Sequence, residues 1–454
     1  MASWLQCQAN VLQALANTVS ISLMASGTAA ASTYDVVVVG AGAAGLLAAA
    51  RSAERGRRTL LVEKNRKPGV KILMSGGTRC NITHNCESAA IVAAFGSAGP
   101  FLHSPLAALN PQALVELFEA EGLATKVEEG GKIFPQSDRA VDVLNALLRR
   151  LRSSGAELVL DESVNAIERT AERFTLITPG RTIICEKLIL TTGGKSYPGC
   201  GTTGDGYRWL AELGHTIRRP RPALVPLISD ESWVRDLKGI TVPDVLLRVV
   251  DPSSDEPSKG KRRRSGLPPG VLIERRGSML FTHFGLSGPA VLDVSRAITA
   301  AADPRKLKLT IDFFPNADAS KIERQFREIA AQEGKRLVSG VVADRLPRRL
   351  VDSLLIRAEI VPDRRAAELS VSERGRLIDQ LKRCGICVSG SRGFEKAEVT
   401  AGGVALEEVD SRDMQSKLVP NLFLAGEILD LDGFIGGYNF QAAFSTGWLA
   451  GESV

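Results

Sequence analysis

Tyr34-Asp35-Val36-Val37-Val38-Val39-Gly40-Ala41-Gly42-Ala43-Ala44-Gly45 is the stretch that decides the fold. Its valine run is short, β-branched and uninterrupted, the pattern of a strand covered on both faces. A Gly-x-Gly-x-x-Gly turn follows and leads into Ala43 to Ala53. That segment has no proline, and no glycine beyond Gly45, and its small side chains suit a helix lying on a sheet. In such a turn Gly40 permits the tight bend, Gly42 lets backbone approach a pyrophosphate, and Gly45 lets the helix pack close to the strand. A second apolar strand, Thr59 to Val62, ends at Glu63, 23 positions after Gly40. Folds of this kind place there the carboxylate that accepts from ribose hydroxyls.

A matching segment stands at the far end. Leu422-Phe423-Leu424-Ala425-Gly426-Glu427 reads as a strand and turn, and Gly436-Gly437-Tyr438-Asn439 opens a last helix. Two such segments at opposite ends of one chain imply FAD, its pyrophosphate at the Gly40–Gly45 helix N-terminus, where amides and dipole favour anions. Glu427 is expected near the ribityl chain or pyrophosphate. The helix opened by Gly437 to Gln441 is expected to stabilise negative charge on the reduced ring, and Asn439 has a second reading as a helix cap. Gly199-Cys200-Gly201-Thr202-Thr203-Gly204 repeats the glycine spacing, but it follows Tyr197-Pro198 rather than a strand. It is read as a loop near the flavin and not as a second dinucleotide site.

The length of 454 residues predicts two or three domains, and a net charge of +6 implies no polyanion partner by itself. Residues 35 to about 215 alternate strands and helices, so the class is α/β with a largely parallel sheet. Short alternating runs from Pro222 to Phe314 read as a β domain, and Ala319 to about Cys384 has helical periodicity broken at Pro347 and Pro362. The expected organisation is a Rossmann-like, glutathione-reductase-type FAD domain, interrupted by a β-rich insert and a helical insert. Its segments are an extension over 1–32, FAD domain over 33–218, β-rich insert over 219–316, helical insert over 317–390 and FAD domain again over 391–454. The inserted segments are expected to roof the flavin ring, leaving a substrate cleft beneath.

No charged side chain precedes Asp35. Gln13, Asn17, Ser20 and Ser22 interrupt the apolar stretch, which argues against a membrane span, and a secretory signal would want a positive start. The readings left open are an organelle transit peptide, giving a plastid or mitochondrial protein, and a plain extension of a cytoplasmic one. The basic run Lys261-Arg262-Arg263-Arg264 lies in Ser/Pro/Gly-rich sequence. It is read as a solvated loop in preference to a nucleic-acid-binding segment. Seven cysteines form no disulfide framework. Cys384-Gly385-Ile386-Cys387 is read as a structural apolar pair closing a helix face with Leu377 and Leu381. Cys80 and Cys86 are separated by five residues rather than the four usual for flavin disulfide reductases, so no dithiol relay is expected.

The segment Lys71-Ile72-Leu73-Met74-Ser75-Gly76-Gly77-Thr78-Arg79-Cys80-Asn81-Ile82-Thr83 resembles the signature of the BaiN-like flavoproteins, FAD/NAD(P)-dependent oxidoreductases of the two-dinucleotide-binding-fold group. Thr191 to Pro198 through Gly204-Asp205-Gly206 is similar to that family's central loop, and Phe281 to Pro289 to its insert motif. Val399 to Val404, with Gly426-Glu427 and Gly436 to Gln441, is similar to its C-terminal signature. The resemblance covers nearly everything from Tyr34 onward. It implies cofactor contacts at Lys64, Lys71, Gly77, Arg79, Cys80, Asn81, Thr192, Gly193, Tyr438 and Gln441, and Val164 joins them. One departure is Thr78, where the family commonly has a third glycine; threonine does not readily take positive φ.

His283 is the acid/base candidate among only four histidines, with a structural role in the insert as its alternative. Tyr197 is a second possible proton donor. No metal constellation is evident. Two functions stay open: an FAD-dependent reductase of a small organic substrate driven by NAD(P)H, and a flavoprotein with an RNA-modification or regulatory role.

Overall fold

The computed structural model describes residues 32–170, 172–255 and 267–454. The expectations for residues 1–31 and for the Lys261–Arg264 run lie outside the described residues.

The valine run forms β1 (Ser32–Val39), and the alanine-rich stretch forms α1 (Ala43–Glu54). Thr59–Val62 is β2, and Val70–Thr78 is α2, whose last turn is broken by an extended Ser75 and left-handed Gly76 and Gly77. Beyond α3 (Ala140–Ser154) come β3 (Glu157–Val159), β4 (Ala166–Arg169), β5 (Phe174–Ile177) and β6 (Thr182–Leu190). These strands build one sheet in the order β3-β2-β1-β6-β5-β4. β3, β2, β1 and β6 run parallel, whereas the hairpin of β4 and β5 is antiparallel. All four residues of β2, and Val36 to Val39 of β1, are buried, as a sheet covered on both faces requires.

After a helix, α4 (Asp205–Glu212), strand β7 (Ile217–Ala223) leads out of this domain. The next unit contains β8 (Thr241–Val250), β9 (Val271–Thr282), β10 (Gly285–Ser287), α5 (Pro289–Ala300) and β11 (Lys308–Asp312). Helices α6 (Ala319–Gln332), α7 (Val338–Ala343), α8 (Arg348–Arg357) and α9 (Val371–Arg383) follow, then β12 (Cys384–Cys387). An antiparallel sheet runs β12-β11-β8-β9-β10 and is extended by the short strands Leu227–Ile228 and Gly390–Ser391. Its apolar face and the helices share one core, in which Leu247, Leu309 and Phe281 join Leu350, Leu354 and Leu377.

The chain returns through β13 (Val399–Val404), which pairs antiparallel with β7, so the exit and re-entry strands lie side by side. β14 (Leu422–Leu424) adds to the parallel sheet beside the end of β6, and α10 (Tyr438–Ser453) packs on α1. The two helices touch through small residues: a Cβ at Gly447 would lie 2.3 Å from the Ala44 carbonyl oxygen. Two chain ends some 380 residues apart are thereby made one domain.

Two local expectations are corrected. Helix α9 ends at Arg383, so Cys384 starts a strand instead of completing a helix face. Only Cys384 is buried, its thiol pushed up to about 11 by burial, while Cys387 is exposed. Residues three apart on a strand point to opposite faces, so the pair cannot fill one apolar site. Thr78 does take a positive φ, 71°. The loop keeps its left-handed turn at the expense of a β-branched residue in a conformation that favours glycine. Thr78 is exposed, so Thr78→Gly is expected to raise stability by about 0.5–1 kcal/mol in thermal unfolding, strain relief outweighing the added freedom of the unfolded chain.

Candidate active site

At the C-terminal end of β1 the chain turns so tightly that a Cβ at Gly45 would lie 1.8 Å from the Gly40 carbonyl oxygen. Gly42 differs: its φ of −84° suits any residue, and a Cβ there would meet no heavy atom within 4 Å. The space it would enter is a cavity of about 770 Å³. No side chain caps α1, so its first amides are free to meet an anion. Glu63 accepts from the Ala41 N–H at 2.7 Å and from the Asn65 N–H at 2.9 Å. The same carboxylate that is expected to take ribose hydroxyls therefore also holds the glycine turn in shape.

Gly40, Gly42, Ala43, Ala44, Glu63 and Lys64 line this cavity from the N-terminal side. Val164, Thr192 and Gly193 line its flank, and Gly426, Glu427 and Asn439 close it from the C-terminal segment. Glu427 is fixed from three sides. Lys71 Nζ donates to its Oε2 at 2.6 Å, while Ser196 Oγ (2.8 Å) and the Thr400 N–H (3.0 Å) donate to its Oε1. Thr192 Oγ1 is buried with no hydrogen-bond partner among the described residues. Together with the open Gly42 and the uncapped α1, this trough fits the phosphates and riboses of FAD. No group of His, Cys, Asp and Glu that could hold a metal occurs among the described residues.

A second cavity of about 480 Å³ adjoins the first and shares Lys71, Cys200, Glu398, Val399, Asn439 and Phe440 with it. Gly77, Arg79, Asn81, Tyr197 and Gly437 line it, as does Lys132. Asn81 Oδ1 has no partner among the described residues. Arg79 lies over the Phe134 ring at 4.1 Å and donates to Glu128 at 2.7 Å, so its charge is already engaged. Tyr197 has a strained positive φ of 51°, and burial, followed by the neighbouring Glu398 charge, pushes its phenol up. Helix α10 points its uncapped N-terminus, with Gly437 as its N-cap, at this junction.

Several expected contacts are placed elsewhere. Gly45 lines neither cavity because its role is to let α1 touch β1. Cys80 is fully buried and its thiol is pushed up to about 12, which removes it from thiolate chemistry. Tyr438 stacks on His84 at 4.9 Å. Gln441 is buried, accepting from Thr83 Oγ1 and donating to the Leu109 carbonyl. Asn439 does not cap α10; its amide pins the preceding loop by bonding Gly433 N–H and Gly433 O. His283 occupies the exposed two-residue turn between β9 and β10, its ring edge against Phe284 at 5.0 Å, and reaches neither cavity.

The expected roof is also corrected. Among the described residues of the segment Pro222 to Cys384, only Leu224 lines either cavity. The insert abuts the loop before α10 instead. Asp293 on α5 accepts from the Ile435 N–H at 2.8 Å, Arg275 lies over the Phe434 ring at 3.7 Å, and Arg296 pairs with Asp432 at 3.0 Å. Asp432 is buried, and burial pushes its carboxyl up to about 6 against the pull of Arg296. A carboxyl raised above its ordinary value favours the folded state when protonated, so this contribution is full at low pH and lost as pH rises through about 6. A shift of this size is worth about 3 kcal/mol at most. Asp432→Asn is expected to remove the loss of stability between about pH 4 and 6, read by thermal unfolding across pH.

Sequence reasoning did not single out Asn65, Lys132 or Glu398, whereas the Gly199–Gly204 loop, expected near the flavin, contributes Cys200 to Gly204 to the first cavity, and Asp205 follows them. Lys64 ties that loop to β2 by donating to Thr203 Oγ1 and Asp205 Oδ2, each at 2.6 Å.

The fold and the trough define a Rossmann-type flavoprotein. The model of the HI0933-like protein Rossmann domain matches residues 34–453, and the chain belongs to that family of FAD-dependent oxidoreductases. It is similar to the ribosomal RNA dihydrouridine synthase of Escherichia coli, with 33% identity over 93% of this chain and 98% of that one. It is also similar to the 3-dehydro-bile acid delta(4,6)-reductase of Clostridium scindens, with 29% identity over 92% and 98%. A ribosomal RNA dihydrouridine synthase of Haemophilus influenzae is 31% identical over 92% and 98%. No helix among the described residues is long and apolar enough to cross a membrane.

Proposed function

We propose that this protein adds hydrogen across a carbon–carbon double bond conjugated with a carbonyl, using electrons from NAD(P)H. The observation that carries the reading is the second chamber opening directly off the FAD trough. It joins flat apolar walls from Phe134, Leu224 and Phe440 to polar groups from Lys71, Asn81, Lys132 and Tyr197. That lining suits a planar ring bearing a carbonyl. The names of the relatives describe the same chemistry on two carriers: saturating the uracil ring in RNA, and reducing a steroid double bond conjugated with a ketone.

Bound FAD supplies two-electron hydride transfer. Gly40 to Ala44 would hold its pyrophosphate, Glu63 its adenosine ribose, and Glu427, kept in place by Lys71 and Ser196, its central portion. The N-terminus of α10 places positive potential at the junction of the chambers, where charge accumulates on reduction. The nicotinamide needs no glycine turn of its own if it enters and leaves the second chamber before the substrate does.

Anaerobic reduction with NADH or NADPH, followed by addition of unmodified ribosomal RNA transcript or a 3-oxo-4,6-diene bile acid, tests this reading. Reoxidation of the flavin with gain of two hydrogens by one acceptor is the expected result. Salt-sensitive reoxidation by RNA alone assigns the uridine carrier. Reoxidation by neither acceptor overturns the proposal.

A further inference from the structure

Two glutamates line the first chamber, Glu398 also lines the second, and their surroundings are opposite. Glu427 is saturated with donors, from Lys71, Ser196 and Thr400. Glu398 lines both cavities, and its carboxyl accepts no hydrogen bond from a described residue. Its backbone is pinned, the N–H donating to the Leu224 carbonyl at 3.2 Å just before β13 begins. The side chain thus has a fixed root and a free head inside the site.

We propose that Glu398 is the proton donor of the reduction, an assignment that rests on the function proposed above. Hydride from the reduced cofactor forms the C–H bond at the carbon distal to the carbonyl. The π electrons move toward the carbonyl, and the adjacent carbon takes its proton from the Glu398 carboxyl. One double bond is lost, two C–H bonds form, and the carboxylate left behind is reprotonated from solvent.

The electrostatics agree with this geometry. Glu398 is exposed to solvent through the two cavities it lines, while the protein crowded around it raises its carboxyl above the ordinary range; Lys71 and Lys132 lower it and Asp293 adds to the rise. Lys71 is already engaged with Glu427 at 2.6 Å, so only part of its charge acts on Glu398. Tyr197, whose phenol is itself raised by burial and by Glu398, lines the same chamber and is the neighbouring hydroxyl. Two carboxyls held apart in this way, one saturated with donors and one free to carry a proton, is how a site divides binding from acid chemistry. Cys200 also lines both chambers, but its Sγ lies 3.1 Å from Met74 Sδ and burial raises its thiol.

Glu398→Gln in the FAD-loaded protein tests the assignment. FAD content, melting temperature and the rate of flavin reduction by NAD(P)H are expected to stay at wild-type values. Reoxidation by the acceptor that oxidises the wild type, RNA transcript or bile acid, is expected to slow by ~100-fold. The wild-type reoxidation rate is expected to fall as pH rises through the Glu398 titration, and that limb is expected to vanish in the variant. Infrared difference titration of the oxidised protein without any acceptor gives an independent reading. A carboxylic-acid band persisting above the ordinary glutamate range in wild type and missing in Glu398→Gln supports the assignment. Absence of that band overturns it whatever the acceptor, as does reoxidation within twofold of wild type with the pH limb retained. If neither acceptor oxidises the wild type, the functional reading falls on its own, and the infrared band still decides the state of Glu398.

Discussion

Gly42→Val is expected to yield a folded, colourless protein whose Kd for FAD is raised by at least ~100-fold, about 3 kcal/mol. The backbone at Gly42 has φ −84°, which valine adopts without strain, and a Cβ there meets no protein atom within 4 Å. The fold therefore has nothing to lose by the substitution. The isopropyl group would instead occupy the trough, where the cofactor pyrophosphate must approach the uncapped first turn of α1. Absorbance of the purified variant, titration with FAD and thermal unfolding of the apo protein measure the two halves of this expectation. Retention of stoichiometric FAD would remove the pyrophosphate assignment, and loss of folded protein would show that Gly42 is structural.

Gly45→Val, three residues along, is expected to behave in the opposite way. A Cβ at Gly45 would lie 1.8 Å from the Gly40 carbonyl oxygen and 2.6 Å from Thr191 Oγ1. That hydroxyl donates to the Val39 and Gly40 carbonyls, so it cannot swing aside without leaving buried acceptors unpaired. Either α1 lifts off the sheet or the β1 turn opens, and α1 is also the surface on which α10 packs. The expected loss exceeds about 4 kcal/mol, enough to deplete soluble protein. Wild-type yield and melting temperature for Gly45→Val would contradict the packing described here. Read together, the two variants separate a glycine needed by a ligand from a glycine needed by the fold.

Much of the cofactor half of the site was legible from residues near one another in sequence. Strand, glycine turn, helix and Glu63 fall within 31 positions, from Thr33 to Glu63, and each is decided by local pattern and turn chemistry. His283 was not legible in the same way. Its scarcity made it a candidate, but the β9–β10 pairing places it on an outer turn that reaches neither cavity. Glu398 carried no signal at all, because an acidic residue before a strand looks like any solvated turn until its surroundings are known. The Tyr438-Asn439 pair looked like a cap and a flavin contact; tertiary packing gave Tyr438 to His84, while Asn439 pins the Gly433 loop and still lines both cavities.

By itself the sequence determined a two-ended Rossmann-type flavoprotein interrupted by inserted β and helical segments, since hydrophobic period, β-branched runs and glycine spacing act over a few residues. Only the tertiary structure decided what faces the second chamber. Its walls come from residues 71–81, 132–134, 197–200, 224, 398–399 and 435–440. They meet because β13 pairs back on β7 and β14 joins β6 in the parallel sheet. Those are contacts between residues hundreds of positions apart, set by burial of the shared core, and no local pattern encodes which side chains they bring face to face.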